Sequence, residues 1–472
     1  MSPLELPYFE DATNWFELLT PLGQPVLLDG ASHSRANHDI IAAAPSAKLV
    51  LWDEHLELTM GKTITRQTTS NFFSVLRSLH ATNAGRSFKS DTLSGPDIPF
   101  SQGLIGYIGY DINQVLGSVV PLVGKAQPRL PIAFVSRYDW AVVQCHRSRR
   151  AWFTGDDLVL HQKLISLAAQ VSEESVTTPT IPSFTEEGIK WTAATSPLKY
   201  QKAINRIHEY IDSGDCYQVN YTQRFTARYT QPALAIYKRV KASVQSPFNA
   251  LLPVGLDQAV ISVSPERLVQ LTNGVITTQP IKGTMPRYDD PIADEESRTT
   301  LVESEKDRAE NLMIVDLLRN DIGRVAQPST VEVSKLFDIE PYANVYHLVS
   351  TIKAKLDQRY DAIDLLEATL PGGSITGAPK IRAMEIIEEL ETARRSAYCG
   401  TIFYLDASGD LDSNVAIRTL VKDNDKLHIW GGGGIVADSD ADAEQAESRN
   451  KIRAFVNALG GTLEYDDDLE DR

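Results

Sequence analysis

The strongest constraint on the fold of this chain is a two-residue turn signal, Asn273-Gly274, between two short runs rich in β-branched residues. Asn-Gly favours the positive φ angles of the tight turn that joins antiparallel strands. The flanking runs, 267–272 and 275–280, therefore predict a β-hairpin in which residue 272 faces residue 275. A third strand-like run, 259–264, lies directly before them. The chain therefore has to contain at least one antiparallel sheet.

The other predicted elements show no strand–helix–strand alternation. Strand patterns lie at 25–28 and 48–52, and a meander covers 400–431. Helical periodicity occurs in five segments: 71–81, 197–213, 303–319, 379–391 and 439–459. One face of the fourth is apolar and is expected to be buried: Ile381, Met384, Ile387 and Leu390. Hairpins mixed with helices in this way predict an α+β fold built on antiparallel sheets.

The chain of 472 residues is long enough for more than one domain. Residues 172–188 are rich in Ser, Thr, Pro and Glu and have no periodicity, so they predict a linker or surface loop. This segment divides an N-terminal region, 1–171, from a region at 189–464 that carries the firmer motifs. Residues 465–472 predict a solvated acidic tail.

Charge and cysteine usage exclude several classes of function. The formal net charge of −16 disfavours binding to nucleic acid or anionic membranes, since both require a positive surface. Cys145, Cys216 and Cys399 lie far apart, with neither a disulfide framework nor zinc-ligand spacing. The sequence has no apolar signal core and no apolar run of about 20 residues, so we expect no membrane span and a cytoplasmic location.

The predicted hairpin brings a carboxylate and an amine to one end of a sheet. Continuing its register places Glu266 opposite Ile281 and Pro265 opposite Lys282, so Glu266 and Lys282 are expected roughly 5–8 Å apart. Such a pair can act as acid and nucleophile, or form an ordinary surface ion pair. A regular pleat would direct the two side chains to opposite faces. Proline at 265 and 280 disturbs the pleat, which leaves their facing open.

Two acidic pairs occur at helical spacing. Asp307 and Glu310 are separated by three residues, and so are Glu444 and Glu447, so each pair projects from one helix face. Four carboxylates on two helices can hold Mg²⁺, which prefers oxygen ligands. The alternative is a pair of solvated acidic faces, with Glu447 and Lys451 forming a common i, i+4 ion pair.

Two glycine-rich segments complete the candidate chemistry. Residues 371–380 (PGGSITGAPK) lead into a predicted helix, whose first N–H groups can bind an anion such as a carboxylate. Residues 431–434 (GGGG) allow a ligand to approach the backbone closely. The alternatives are a capped turn and a flexible linker, respectively. Neither segment matches a nucleotide-binding loop.

Together these segments resemble the chorismate-utilising enzyme family. The resemblance runs in order from about 195 to 460 through the following motifs: SPERL (264–268), PIKGTMPR (280–287), DRAENLMIVDLLRNDIGR (307–324), VYHLVS (345–350), PGGSITGAPK (371–380), YCGTIFY (398–404), AIRT (416–419), GGGGIV (431–436) and ESRNK (447–451). Residues 101–111 and 214–225 are similar to the subgroup of anthranilate synthase and aminodeoxychorismate synthase large subunits. The resemblance implies two large antiparallel β-sheets packed against each other, with helices around them and strands from both halves of the chain.

One residue divides that subgroup. Anthranilate synthases typically have PIAGT where this chain has PIKGT, at 280–284. The lysine form resembles the aminodeoxychorismate synthase branch, which aminates chorismate at C4 on the route to 4-aminobenzoate and folate. The resemblance implies that Lys282 adds to C2 while the C4 hydroxyl leaves, after which ammonia attacks C4 and expels the lysine. The alternatives are anthranilate synthase activity and an inactive binding paralogue.

The resemblance also assigns the remaining site residues. Glu266 would be the general acid/base, and His347 a histidine near the reacting centre, unless it is simply a hydrogen-bonded core histidine. Glu310 and Glu447 would bind Mg²⁺ directly, and Asp307 and Glu444 through water. Six groups would contact chorismate: Thr278, Ser374, Tyr398, Arg418, the Gly434 N–H and Lys451. Of these, Ser374 and Lys451 would face the ring carboxylate, and Tyr398, Arg418 and Gly434 the pyruvyl carboxylate.

The expected partners follow from the same resemblance. The three cysteines lie in QCH, DCY and YCG, and none has the setting of a glutaminase nucleophile. Ammonia is therefore expected from a separate glutamine amidotransferase subunit in a heterodimer. Residues 27–30 read LLDG where feedback-regulated anthranilate synthases often have LLES, so we expect no tryptophan inhibition of that type. A structural tryptophan ligand, found in some relatives, is compatible with the sequence.

Overall fold

The computed structural model describes residues 3–30, 36–81, 98–115, 117, 125, 127–171, 188–244, 246–342 and 345–464. The predicted acidic tail and all of the predicted linker except Gly188 lie outside these ranges, so both stay predictions. No helix within the described ranges is long and apolar enough to cross a membrane.

The first large sheet has thirteen strands in the described part of the chain, and all its pairs are antiparallel except β11 with β25. Numbered along the chain, its strands lie side by side in the following order: β1 (Leu4–Leu6), β10 (Arg150–Phe153), β9 (Val142–Cys145), β3 (His38–Ala42), β2 (Val26–Asp29), β13 (Phe248–Gly255), β14 (Gln258–Ser264), β23 (Thr419–Asp423), β24 (Lys426–Ile435), β12 (Gln218–Arg228), β11 (Ile189–Ala193) and β25 (Gly461–Glu464), with β20 (Gly377–Ala378) beside β12.

The second sheet is antiparallel and has twelve strands within the described ranges. Their order across the sheet is as follows: β17 (Ile281–Pro286), β19 (Val345–Lys355), β16 (Val275–Thr278), β15 (Arg267–Thr272), β22 (Leu411–Asn414), β21 (Thr401–Asp406), β7 (Gly103–Ile108), β8 (Ala133–Tyr138), β4 (Ala47–Leu51), β5 (Leu56–Met60) and β6 (Thr63–Gln67), with β18 (Glu332–Pro341) also paired to β19. Both sheets draw strands from both halves of the chain.

Helices cover the sheets. Their bounds are as follows: α1 (Thr13–Leu19), α2 (Phe72–Ala81), α3 (Ile112–Val115), α4 (Leu158–Ala168), α5 (Pro197–Asp212), α6 (Ala233–Ser243), α7 (Pro291–Glu303), α8 (Glu305–Gly323), α9 (Ala362–Thr369), α10 (Lys380–Leu390) and α11 (Ala441–Ala458). The predicted α+β class is confirmed, and so are the two large antiparallel sheets.

The two faces of the first sheet belong to different cores. Along β2, Val26 packs into the core shared with the second sheet, and Leu27 packs into a core formed with α1, α4, α6 and α11. Ile40 and Ile41 divide in the same way on β3. Because successive side chains of a strand point to opposite faces, one strand serves both cores. The sequences of these strands are therefore nearly continuous runs of apolar residues.

The predicted hairpin is confirmed near its turn. Thr272 faces Val275, and Asn273 and Gly274 both adopt positive φ, 50° and 77°. The longer extension of its register was wrong. The β15–β16 ladder ends at the Gln270–Thr277 pair, and β17 pairs with β19 instead. Pairing with β19 runs in one register from Val275 to Lys282, and the Pro280 carbonyl accepts the Ser350 N–H of β19 at 3.3 Å. The strand thus follows β19 and leaves β15, so Glu266 does not pair with Ile281.

Three local predictions also need correction. The 431–434 glycines lie inside β24, not in a linker. The meander at 400–431 divides between the sheets, with β21 and β22 in the second and β23 and β24 in the first. On α10, Met384 and Ile387 are buried as predicted, but Ile381 is 58% exposed. The buried stripe is shifted toward Ala383 and Ile386, because α10 packs on β12 and β20 through that side.

Candidate active site

Lys282 lies beside a bulge in β17. Lys282 faces Leu348 and Thr284 faces His347, so Gly283 is an extra residue relative to β19. Gly283 has φ of 73°, and a Cβ there would lie 3.0 Å from Cγ of Asp307. A bulge redirects the side chains beside it. Here the Lys282 Nζ lies 3.7 Å from Glu310 Oε2 on α8.

The first turn of α8 fixes Asp307 relative to Glu310. Ser304 is the N-cap: its Oγ accepts a hydrogen bond from the Asp307 N–H at 3.2 Å and donates one to Asp307 Oδ2 at 2.6 Å. Glu310 follows one turn later on the same side of the helix, as the spacing predicted. Both side chains are half-buried next to β17. The first predicted acidic pair is therefore not a plain solvated face.

The second acidic pair lies on α11, which packs over the glycine run of β24. Glu444 accepts a hydrogen bond from Ser439 Oγ at 2.7 Å, and Glu447 pairs with Lys451 at 2.6 Å. The Lys451 ammonium also donates to the Gly432 carbonyl at 2.8 Å. The last of these contacts joins α11 to β24.

The electrostatics of α11 connect it to Lys282. Burial works to raise the pKa of Glu447, but the ammonium groups of Lys451, Lys306 and Lys282 outweigh it and lower that pKa. For Glu444, burial and the neighbouring Glu447 charge raise the pKa, despite the hydrogen bond from Ser439. The charge of Lys282 on β17 thus contributes to the lowered pKa of Glu447 on α11.

The glycine run is required by this packing. A Cβ at Gly431 would overlap the Ser448 carbonyl oxygen, and one at Gly433 would lie 2.9 Å from Glu444 Oε2. The first clash is with backbone and would push α11 away from the sheet, whereas the second would displace the Glu444 carboxylate. On the opposite face, a Cβ at Gly434 would overlap the Gln218 carboxamide. Sequence reasoning did not single out Gln218, although it lies inside the 214–225 motif.

The N–H of Gly434 is directed toward the site. Gly434 lies opposite Asn220 of β12. The Asn220 N–H donates to the Thr376 carbonyl at 2.8 Å, and its carbonyl accepts from Arg395, so both groups point away from β24. Since facing pairs are either both bonded to each other or both turned outward, the Gly434 N–H points away from β12. On that side β23 pairs with β24 only as far as Ile429, which leaves an open end.

The Arg418 side chain is a candidate anion-binding group. Arg418 immediately precedes β23 with φ of 50°, and burial lowers its pKa. Within the described part of the chain, its side chain forms neither a hydrogen bond nor an ion pair. A desolvated guanidinium without a protein partner is suited to bind a carboxylate in two-point geometry. This supports its predicted contact with the pyruvyl carboxylate.

The other predicted substrate contacts have varied surroundings. Tyr398 is buried and stacks on Trp430, with ring centroids 5.7 Å apart and planes 7° apart. Ser374 is half-buried in a short helical turn, Gly373–Ile375. The Thr278 hydroxyl is buried and donates to the Leu268 carbonyl at 2.6 Å. Its role near the substrate stays a prediction, because that hydroxyl proton is already engaged.

The predicted acid and histidine are both buried. Glu266 is 7% exposed, and its backbone carbonyl accepts the Val415 N–H at 3.0 Å. His347 Nδ1 lies 2.9 Å from Thr284 Oγ1, and its ring meets Tyr342 edge to face. His347 therefore has local partners, as the core-histidine alternative required. It also faces the bulge that carries Lys282, so a role near the reacting centre stays open to test.

The predicted Mg²⁺ ligands suit the ion by chemistry. They are carboxylates from two helices, the donors that Mg²⁺ prefers. Among the described residues, no three acidic, histidine or cysteine side chains form a ready-made metal cluster. Glu310 and Glu447 instead each face a lysine ammonium. Both positions thus already attract positive charge, and the residues fit a divalent cation shared with an anionic substrate.

The bulge at Gly283 provides a test of this geometry. Gly283→Ala is expected to destabilise the fold by about 1–2 kcal/mol from its positive φ alone, and also to move Lys282, because the new Cβ meets Leu301 and Asp307. Gly274→Ala is the matched control, since Gly274 has a similar φ of 77° but open space around it. Thermal unfolding should show both losses, and only Gly283→Ala should reduce chorismate turnover. Equal turnover in both variants would contradict a role for the bulge.

Comparison with known proteins shows the family to which the chain belongs. The chain belongs to the chorismate binding enzyme family, whose model matches residues 28–457. It is similar to aminodeoxychorismate synthase component 1 of Klebsiella aerogenes, at 42% identity over 97% of this chain and 98% of that protein. The protein of the same name from Salmonella typhimurium is 38% identical, with the same coverage. The crystal structure of anthranilate synthase component I from Streptococcus pneumoniae matches with a TM-score of 0.74 at 30% identity, over 90% of this chain and 93% of that one.

Proposed function

We propose that this chain aminates chorismate at C4, forming 4-amino-4-deoxychorismate for 4-aminobenzoate and folate biosynthesis, with Lys282 as the nucleophile. The observation that carries the proposal is the position of the Lys282 ammonium, beside the bulge of β17 and 3.7 Å from Glu310 on α8. The similarity to two aminodeoxychorismate synthase components over 97% of the chain supports amination at C4.

Chorismate carries two carboxylates, and the site offers two sets of groups for them. Arg418, the Gly434 N–H and Tyr398 would bind the pyruvyl carboxylate at the open end of β24. Ser374 and Lys451 would bind the ring carboxylate. Because these groups lie on separate elements, they fix the ring in one orientation, with C2 toward Lys282.

The proposed reaction has two steps. The neutral Lys282 amine adds to C2, the ring double bonds shift, and the C4–O bond breaks. Glu266 gives a proton to the departing hydroxyl, which leaves as water, and Glu266 regains a proton from the Lys282 nitrogen now bonded to C2. Ammonia then forms a bond to C4, the double bonds shift back, and the C2–N bond to Lys282 breaks. The proton lost by the new C4 amine passes to the departing Lys282 nitrogen. Glu266 is 7% exposed, so bulk water competes little for the proton that it transfers.

Mg²⁺ would be held by Glu310 and Glu447, with Asp307 and Glu444 beside them. When bound, the ion supplies positive charge that orients and neutralises the ring carboxylate. The two glutamates would then exchange their lysine contacts for the metal. This exchange would also release the Lys282 amine toward the substrate.

A separate glutamine amidotransferase subunit would supply ammonia. The three cysteines are buried, as expected if glutamine is hydrolysed elsewhere. The name component 1, carried by both relatives, also suits a protein with a partner subunit. A structural tryptophan stays a prediction: Asp29 of the LLDG run is already bound by Lys241 at 2.5 Å and by the Tyr237 hydroxyl at 2.7 Å.

The test is product analysis by liquid chromatography and mass spectrometry, after incubation with chorismate, Mg²⁺ and an ammonium salt. The expected product becomes 4-aminobenzoate only when aminodeoxychorismate lyase is added. Anthranilate as the sole product would assign the other branch of the family. Untouched chorismate, even with an amidotransferase and glutamine present, would favour an inactive binding paralogue.

A further inference from the structure

We propose that Arg395, paired with Glu391, is a positioning residue that fixes together the three segments carrying the predicted chorismate contacts. The proposal rests on the proposed function for the identity of the substrate. It concerns binding geometry and assigns Arg395 no contact with chorismate. Neither residue emerged from the sequence as a candidate.

The pair lies inside the protein behind the site. Arg395 and Glu391 are 1% and 4% exposed, and they meet at 2.7 Å from Nη2 to Oε1 and 3.0 Å from Nε to Oε2. A buried ion pair adds little net stability, because both charges lose their hydration. Its presence in the wall of a binding site is therefore better explained by geometry than by stability.

The Arg395 guanidinium joins the 371–380 loop to β12. Its Nη1 donates to the Ile375 carbonyl at 2.7 Å, and its Nη2 donates to the Asn220 carbonyl at 2.5 Å. The Asn220 side chain donates to the same Ile375 carbonyl at 3.1 Å. Ile375 directly follows Ser374, so these bonds fix the position of Ser374 relative to β12.

Glu391 contacts the same edge of β12 at Thr222, two residues after Asn220. Its Oε1 accepts from both the N–H and the hydroxyl of Thr222, each at 2.8 Å. Asn220 and Thr222 lie opposite Gly434 and Gly432. The ion pair therefore fixes, from behind, the two strand positions whose partners turn their polar backbone groups toward the site.

The backbone of Arg395 reaches the third segment. Its carbonyl accepts the Tyr398 N–H at 3.0 Å, and its guanidinium lies 4.5 Å from the centre of the Tyr110 ring. The next residue, Ser396, donates its N–H to Asp111 at 3.1 Å. Ser374, Gly434 and Tyr398 are thus all set by groups bonded to one side chain or its own backbone.

Only a planar guanidinium can make this set of bonds. It has five N–H donors in a fixed plane and reaches carboxylate and carbonyl acceptors in several directions at once. A lysine ammonium keeps the positive charge but cannot donate to all of these acceptors at once. Arg395→Lys should therefore preserve the ion pair with Glu391 and release the Ile375 or the Asn220 carbonyl.

The experiment measures chorismate binding by calorimetry in the presence of Mg²⁺, together with thermal unfolding. Arg395→Lys is expected to weaken binding about 10- to 100-fold, the effect of disturbing one or two charged hydrogen bonds. Lys241→Met removes a different ion pair, the one that Lys241 forms with the buried Asp29, and is the control. It should lower the unfolding temperature and leave the Kd for chorismate within about threefold of wild type.

The outcomes separate positioning from general stability. A folded Arg395→Lys with wild-type affinity would overturn the proposal, and so would Lys241→Met weakening binding to the same extent. If Arg395→Lys does not fold, Asn220→Ala, which removes one bond to Ile375, has to weaken binding about threefold or more for the proposal to stand. Binding without amination by the wild type counts against the proposed function alone. Wild-type protein that does not bind chorismate overturns both.

Discussion

Replacing Lys282 by alanine is expected to slow 4-amino-4-deoxychorismate formation by about 10³-fold or more, because the covalent route is lost with its nucleophile. The same change leaves C2 open to ammonia, so a small yield of anthranilate is expected in its place. Chromatography with mass spectrometry measures both products in one run, and anthranilate is also fluorescent.

Lys306→Ala is the matched control for charge. Lys306 is exposed and, like Lys282, lowers the pKa of Glu447 against the opposing effect of burial. An exposed charge is worth about 1 kcal/mol or less, so turnover should stay within about fivefold of wild type. Equal losses in the two variants would mean that Lys282 acts through its charge. A Lys282→Ala enzyme at the wild-type rate would rule out the nucleophile role.

Glu310→Gln is expected to lower Mg²⁺-dependent turnover by about 10²-fold or more, because the isosteric amide keeps the shape of the side chain but loses the charge that holds the cation. The half-saturating Mg²⁺ concentration should rise as well. That shift separates metal binding from the contact with Lys282, since losing the lysine contact alone would leave Mg²⁺ saturation unchanged.

Glu305→Gln on the same helix is the control. Glu305 is exposed in the first turn of α8, so its loss should change neither the rate nor the Mg²⁺ titration appreciably. Wild-type turnover in the presence of EDTA would contradict the metal site. An unchanged Mg²⁺ titration for Glu310→Gln would remove that residue from it.

The parts of the fold predicted from the sequence are those set by local chemistry. Asn273-Gly274 fixes the turn and the facing of Thr272 and Val275 through backbone angles that few other residues adopt. The i, i+3 spacing places Asp307 and Glu310 on one side of a helix wherever that helix packs. The register beyond Thr277 failed because a distant strand sets it: pairing with β19 continues from Val275 to Lys282, whereas pairing with β15 stops at Thr277.

The glycine run shows a second limit. Four consecutive glycines have low strand propensity, so a linker was a reasonable expectation. The structure places them in β24, where a Cβ at Gly431 would overlap the Ser448 carbonyl oxygen of α11 and one at Gly434 would displace the Gln218 carboxamide. That constraint lies in tertiary packing and cannot be read from residues 431–434 alone.

Much of the site depends on contacts between distant residues. The contact of Lys282 with Glu310 requires the bulge at Gly283, and the bonds of Arg395 reach Asn220, 175 residues away. No periodicity or spacing encodes such contacts. The family resemblance supplied residue roles, and the structure supplied the bonds that hold those residues in place.

The most direct test of the central claim is to trap the bond between Lys282 and the ring. Excess enzyme is mixed with chorismate and Mg²⁺ without ammonia, quenched at short times, digested and examined by mass spectrometry. We expect the peptide containing Lys282 to gain the mass of chorismate less one water, and added ammonium to remove this mass as aminated product forms. Full turnover with Lys282 unmodified at every quench time, or the same modification on a different residue, would contradict it.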